Sequence, residues 1–491
     1  MAKETQKELQ KSLNPMHVWA IAFGCIIGWG SFINPGKKFL PNSGVAGTAI
    51  AMFLGAIVMI IIAFSYAYMV PKHPKAGGEF TFAKENFGKI PAFICGWFLV
   101  AAYLTNVPMN STAIPLIIEG LFGEGSLDWF GTEGYAVAGS NVSVGGIIIA
   151  AGILILFGIL NILGVKKAGF VQTVLATLLA VCAVTLCVSG VISAIKNGVY
   201  FNPLWGFDKA AVQAADNLYS DSMANQNVLS AILATFAIAP WAFVGFDTIP
   251  QAAEEFNFSY KKVMKIMVIA IAFGFFVYTS NNTVCAIALN NWPELCAEGK
   301  WVLLVAAEQL LGTFGKVIVG IGVSCAVLSG IMGFYLASSR LMYSMAKEGY
   351  LPKMFGRIDE KYGTPRNAMI FCIIISLVGP FLGREALGWF VDMSAIGASI
   401  GYLFTSLATV FEVKRDKDGS KGLLVLGVVG VVFSVAFMVL QLVPIPGLEG
   451  VHFCTQSYIM LAVWIIIGVI FYLRQRKQLG IMQFDEVVDE N

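Results

Sequence analysis

Twelve stretches of this chain stay apolar over about 20 residues, the length a helix needs to cross the hydrocarbon core of a bilayer. They fall at approximately 16–40, 44–70, 91–121, 143–163, 169–194, 229–253, 263–289, 315–346, 367–383, 386–412, 422–443 and 455–473. None shows the period-two alternation of barrel strands, so a β-barrel is excluded. Of 491 residues, 57% are apolar and 13% are Asp, Glu, Lys or Arg, too few charges to cover such a core in water. The chain reads as an all-α integral membrane protein of twelve transmembrane helices, with the lipid bilayer as its first partner. A formal charge of +2 leaves no electrostatic footprint for nucleic acid.

Charge asymmetry orients the spans. An even number puts both termini on one side. Connections on that side hold 25 of the 32 Lys and Arg, in the segments Lys3 to Lys11, Lys72 to Lys89, Lys166–Lys167, Lys261 to Lys265, Arg340 to Arg366, Lys414 to Lys421 and Arg474 to Lys477. The other seven are Lys37, Lys38, Lys196, Lys209, Lys300, Lys316 and Arg384. Both termini are therefore expected in the cytoplasm, with the protein in a plasma or bacterial inner membrane. The polar start, through Asn14, leads into an apolar run too long for a cleaved signal peptide. Residues 1–491 read as a single membrane domain with no large soluble module. The outer connections 122–142 and 195–228 read as surface loops, and 292–314, with Trp292 and Trp301, as a lid on the outer face.

Two spans are interrupted at depth. The first reads Gly24-Cys-Ile-Ile-Gly28-Trp-Gly30-Ser-Phe32-Ile-Asn-Pro35-Gly36, and the sixth Ala239-Pro240-Trp241-Ala-Phe243-Val-Gly245-Phe246-Asp247-Thr-Ile-Pro250. Glycine and proline both weaken a helix interior. Unpaired backbone groups cannot face lipid, so a break at this depth must line a cavity. One isolated break would read as a kinked structural helix. Two, at corresponding places in spans 1–5 and 6–10, point to inverted repeats with a substrate site between them. The half-helix starting near Gly30 offers amides and a positive dipole end to a carboxylate. The half-helices ending near Ile26 and Ala239 offer carbonyls to an ammonium group. Such a pocket fits the head of an amino acid.

Other chemistries find no support. Cysteines 25, 95, 182, 187, 285, 325 and 372 lie in apolar runs, where Cys is a small packing residue. Cys296 and Cys454, in expected outer loops, are left as free thiols or a pair. His17, His73 and His452 make no metal site, and no catalytic motif is present. Neither an enzyme, a metal nor a cofactor is expected.

At the breaks the sequence resembles the amino acid–polyamine–organocation superfamily of transporters. Its first-span signature is matched by Gly24, Ile27, Gly28, Gly30 and Phe32. Pro71, Gly77, Gly78 and Phe80, with Phe87-Gly88, look like its loop after span two. Ser339-Arg340 through Pro352, then Thr364-Pro365, resembles its stretch after span eight, and Trp241 to Glu255 its sixth span. The resemblance covers spans one to ten. It implies two inverted five-helix repeats, about 16–194 and 229–412, with helices 1 and 6 broken, plus two extra helices at about 422–473. It also implies transport of an amino acid by alternating access. Carried over, the carboxylate would meet Gly28, Trp29, Gly30 and Ser31, and the amine the carbonyls of Ile26, Trp241 and Val244. Ala102 and Asn106 would line the pocket from span three and Phe334 from span eight; apart from the resemblance, the place of Trp241 and Phe243 at the break lets them be read as a gate closing over the substrate.

Two departures stand out. Position 29, small in most members, is Trp. The coupling lysine that many members carry thirteen residues after Lys166 is Leu179 here, which turns the reading towards an exchanger or facilitator, with sodium near Ser324 or Ser329 left open. Asp247, Glu254 and Asp392 are read as gating or coupling groups, with Glu254 and Glu255 expected to pair with Lys261 and Lys262. An alternative substrate is a decarboxylated amine or polyamine. An ion channel would show a continuous polar stripe, which is not seen. A homodimer is left open.

Overall fold

The computed structural model describes residues 9–123, 125–128, 134–137, 140–199, 201, 204–205, 228–383, 386–416, 420–446 and 452–488, without the side chains of 140–141 and 476–488. Lys3, Lys7, Lys209, Arg384, Lys417 and most of the loop 195–228 lie outside these residues.

The first helix, α1 (Pro15–Ile26), begins where the Asn14 side chain accepts from the His17 amide, with Pro15 at the first helical position. It stops at Ile27, and the chain resumes as α2 (Gly30–Asn34), a π-turn Pro35–Phe39 and α3 (Leu40–Lys72). Within α3 the backbone reverses at Gly44, whose φ of 61° suits a residue without a Cβ. A short helix α4 (Gly78–Phe87) follows, then α5 (Lys89–Phe122), α6 (Val144–Ile162) and α7 (Val165–Asn197). The loop expected at 122–142 contains an antiparallel hairpin, β1 (Tyr135–Val137) with β2 (Ser140–Val142).

Residues 229–253 form short pieces rather than one helix: α8 (Val228–Phe236), α9 (Ala239–Phe243), α10 (Thr248–Gln251) and a 3-10 turn Ala253–Glu255. Then come α11 (Val263–Ala288), α12 (Trp292–Ala297), α13 (Val302–Leu311), α14 (Thr313–Lys347), α15 (Arg366–Ser376), α16 (Ala386–Arg415), α17 (Lys421–Leu442) and α18 (Thr455–Val488). Among the described residues, nine helical runs are long and apolar enough to cross a membrane. The stretches 16–40, 229–253 and 367–383 have no single long helix of their own. The first two are interrupted by unwound backbone, and in the third α15 gives way to a 3-10 turn at Gly379–Phe381. The expected lid at 292–314 is two helices, with Trp292 buried and the Trp301 indole donating to Phe32 O at 2.9 Å.

Helices α5, α14 and α16 form the centre, and α5 packs along both of the others. Peripheral helices are apolar on their outer faces as well: Phe170, Val174, Val181 and Val188 on α7 are exposed, as are Val425 and Val432 on α17 and Ile459, Val463 and Ile466 on α18. A helix apolar all round belongs in a membrane. The protein is a multi-pass membrane protein. All nine cysteines are free thiols, so Cys296 and Cys454 do not pair. Where α3 and α16 end side by side, Lys72 bonds Asp416 and holds its carboxyl below the usual carboxylate range.

Candidate functional site

The unwound part of the sixth stretch touches the end of α1. Gly245 has φ 140°, and a Cβ there would lie 2.6 Å from Ile26 N, 2.7 Å from Cys25 Cβ and 2.9 Å from Ala22 O. The end of α1 thus runs against bare backbone of the sixth stretch. Val244 leaves α9 with ψ 126°, and Asp247 folds back so that its Oδ1 accepts from Gly245 N at 2.7 Å. The sixth stretch is therefore interrupted twice, at Ala237–Ile238 close to the expected helix end near Ala239, and again at Val244–Asp247. Pro240 at the start of α9 costs no internal hydrogen bond, and Ala242 N still reaches Ile238 O at 2.9 Å.

On the span-one side, no described hydrogen bond takes the amides of Gly28 or Trp29. Gly28 O receives both the amide and the hydroxyl of Ser31, so Ser31 is used within the turn. Other carbonyls of the break are tied to α11: Tyr278 Oη donates to Ile26 O at 3.2 Å, and Asn281 Nδ2 to Ser31 O at 3.0 Å. The Trp241 indole lies on Gly30, where a Cβ would meet its ring. Trp29 is 7% exposed, its ring centroid stands 6.2 Å from that of Trp241, and its indole nitrogen is buried without a described partner.

Other expected residues sit further off. Ala102 packs on Gly397 of α16, and Asn106 Nδ2 bonds Ala102 O and Ser394 Oγ, so both address α16. One turn on, Asn110 approaches the break: a Cβ on Gly28 would lie 3.4 Å from its Oδ1. Phe334 stacks with Tyr103 at 6.3 Å, on the side of Asp247. Phe243, expected over the substrate, packs instead between α3 and α11, against Gly55, Gly274 and Tyr278. Asp392 lies away from the break, its carboxylate accepting from Ser457 Oγ at 2.6 Å.

The expected partners of Glu255 are corrected. Its carboxylate pairs with Arg340 Nε at 2.8 Å, both side chains fully buried, rather than with Lys261 or Lys262. The sequence placed these residues near one end of the spans but could not reveal a partner 85 positions away. Glu254, beside it, stands half-buried near Tyr260. The carbonyl of Glu255 accepts the amides of Ser12 and Leu13, and Asn257 N returns to Leu13 O at 3.0 Å.

Two further polar groups escaped the sequence reading. Gln172 Nε2 bridges Ala20 O at 3.1 Å and Ser329 O at 3.2 Å, while Ser329 Oγ donates to Gly24 O. A neutral amide thus joins α1, α7 and α14 near where sodium was left open. Leu179 is buried two turns along α7. The second is Glu79, which lies on α4, outside the spans, yet is fully buried. Burial, and then the neighbouring Asp247 carboxylate, push its carboxyl up to about 8.

The sequence model described as "Amino acid permease" matches residues 13–471. Over 376 residues the chain is 27% identical to the large neutral amino acids transporter small subunit 2 of Homo sapiens, covering 75% of this chain and 64% of that protein. It is 26% identical over 378 residues to the Asc-type amino acid transporter 1 of Homo sapiens, covering 76% and 66%. Against the arginine/ornithine antiporter of Latilactobacillus sakei it is 21% identical over 496 residues, covering 98% and 94%. The chain thus matches a little under two thirds of the length of these human relatives. With a match running over nearly its whole length, this chain belongs to the amino acid permease family.

Proposed function

We propose that the protein is a secondary transporter that moves an amino acid across the cell membrane by alternating access, working as an exchanger or facilitator. The observation that carries this reading is the contact of the unwound backbone at Gly245 with the last turn of α1 at Ile26, beside the break at Ile27–Trp29. Around it, the amides of Gly28 and Trp29 are available to a carboxylate, and the Val244 carbonyl to an ammonium group. Twelve spans in two inverted repeats, within one domain with cytoplasmic termini, are the architecture this reading requires. The three relatives are named as transporters or antiporters of amino acids, which supports the substrate class. The missing lysine at Leu179 and the amide bridge of Gln172 favour exchange over ion-driven uptake.

Thermal-shift screening of the purified full chain against amino acids and amines tests the substrate class, because a ligand of the folded state raises its melting temperature by mass action. An amino acid is expected to stabilise, and its decarboxylated amine to do so far less. The reverse order would move the reading to amines. Proteoliposomes preloaded with that amino acid should take up label faster than empty ones, and equal rates would remove the exchanger.

A further inference from the structure

Glu79 and Asp247 are both 0% exposed, and among the described residues neither makes an ion pair. They are bridged by one hydroxyl: Tyr103 Oη stands 3.2 Å from Glu79 Oε1 and 3.1 Å from Asp247 Oδ2. Tyr66 Oη donates to the same Glu79 oxygen at 2.7 Å, and Gln251 Nε2 donates to the other. A phenol carries one proton, and this one faces two carboxyl oxygens and the Asp247 carbonyl at 3.2 Å, with Gln251 Nε2 donating to it at 3.4 Å. If that proton points to Asp247, the Tyr103 oxygen and Glu79 Oε1 meet lone pair to lone pair. One more proton, on Glu79, turns the contact into a directed chain from Glu79 through Tyr103 to Asp247. Two buried carboxylates without a cation beside them also cannot both stay charged cheaply.

A second observation points to unused hydrogen-bond capacity at the same place. The Tyr402 hydroxyl and Gln251 Oε1 are buried with no partner among the described residues. The Tyr402 ring stacks on Phe246 and faces Tyr66, and both carboxyl groups act electrostatically on its hydroxyl.

We propose that Glu79 and Asp247 form a proton-binding site, sharing one proton through the Tyr103 hydroxyl and thereby fastening α4 to the unwound stretch of the sixth span. Loss of the proton leaves two like charges facing each other and favours separation of α4 from the break. The groups that face the pair are Tyr66 from α3, Tyr103 and Cys95 from α5, Gln251 from α10, Tyr402 from α16 and Cys25 from α1. Among nearby charges, Arg340 is taken by Glu255, and Lys84 pairs with Glu348 of the loop after α14. The proposal stands beyond the substrate reading and does not depend on it.

The test uses the ligand-free full chain in detergent or liposomes. Infrared difference spectra between about pH 6 and about pH 9, the window that brackets the raised Glu79 carboxyl, report protonated carboxylic acid directly. The wild type is expected to lose one C=O band on raising the pH, and Glu79→Gln to lack that loss. A carboxyl whose pKa is higher folded than unfolded keeps its full stabilising share below the unfolded value and loses it as pH rises through the folded one. The wild-type melting temperature should therefore fall from about pH 5 to about pH 8, and that of Glu79→Gln should fall less. Should Glu79→Gln not fold, Tyr103→Phe should move the infrared midpoint by about one unit or more. A band loss and a melting profile unchanged in Glu79→Gln, or a midpoint unmoved in Tyr103→Phe, would overturn the proton site. Absence of any amino acid effect on melting would sink the transport reading and leave this result standing.

Discussion

Gly245 and Ile26 meet backbone to backbone, with a built Cβ on Gly245 only 2.6 Å from the Ile26 nitrogen. An unwound segment and the end of a helix from a distant part of the chain are held in contact by the absence of one methyl group. Gly245→Ala should disrupt both. A side chain at φ 140° costs about 1–3 kcal/mol of strain, and overpacking adds about as much again. Thermal unfolding of the purified variant is the check, and a melting temperature equal to wild type would contradict the contact.

Gly30→Val should abolish substrate binding while the protein still folds, since its side chain must displace the Trp241 ring above Gly30. The measurement is ligand-induced thermal shift at saturating amino acid. Unchanged binding would remove the site from this break.

Trp29 and Trp241 stand ring to ring at 6.2 Å, which makes the indole of Trp29 a wall of the cavity under the transport reading. Trp29→Ser should lose about 0.5–1.5 kcal/mol of aromatic pairing and admit bulkier amino acids. Competition with a size series of amino acids, run on both proteins, decides it. An identical rank order with lowered stability would assign the indole to packing alone.

Gln172 Nε2 already occupies the space between the carbonyls of Ala20 and Ser329, so exchange should proceed at the same rate in sodium and in choline media. Gln172→Ala should cost about 0.5–1.5 kcal/mol, because it removes the hydrogen bonds that tie α7 to α1 and α14. A sodium-dependent wild type would refute the amide as the sole occupant of that junction.

Arg340 and Glu255 form a fully buried pair, and removing one partner strands the other charge. Arg340→Met should cost about 3–5 kcal/mol, and adding Glu255→Gln should restore part of it. Melting data for the two single variants and the double variant provide the test, and strictly additive losses would show that the charges do not couple.

The sequence disclosed what depends on local composition. Runs of apolar residues give the long helices, because a bilayer demands them one segment at a time. The interruption at Gly28–Gly30 was legible for the same reason, as both glycines lie in the run they break. In the sixth stretch the expected helix end near Ala239 falls beside the gap between Phe236 and Ala239, but a second opening follows at Val244–Asp247. The unwinding there needs Gly245 at positive φ and the Asp247 side chain folded back, and neither leaves a periodic signal.

Facing directions were the larger loss. Phe243 lies next to the second break and Asn106 on the third span, but helical phase turns one towards α3 and α11 and the other towards α16, while Asn110 approaches Gly28. Nothing within Gly77-Gly78-Glu79-Phe80 marks Glu79 apart from its neighbours. Its burial depends on Tyr66, Tyr103, Gln251 and Asp247, the last two more than 160 residues away. Glu255 and Arg340 pose the same difficulty. Pairings of this kind arise from packing, which only the folded chain defines.

The bonds of Ser12 and Leu13 to Glu255, with Asn257 returning to Leu13, lie at the opposite end of α1 from the Gly245 contact. α1 is therefore pinned to the sixth stretch twice, once at each of its ends. A rod fastened at two points cannot swivel on either fastening by itself. Whatever motion opens one side of this protein must carry α1 and the chain from Gly245 to Asn257 as a single rocker arm, or first unlatch the strap at Leu13.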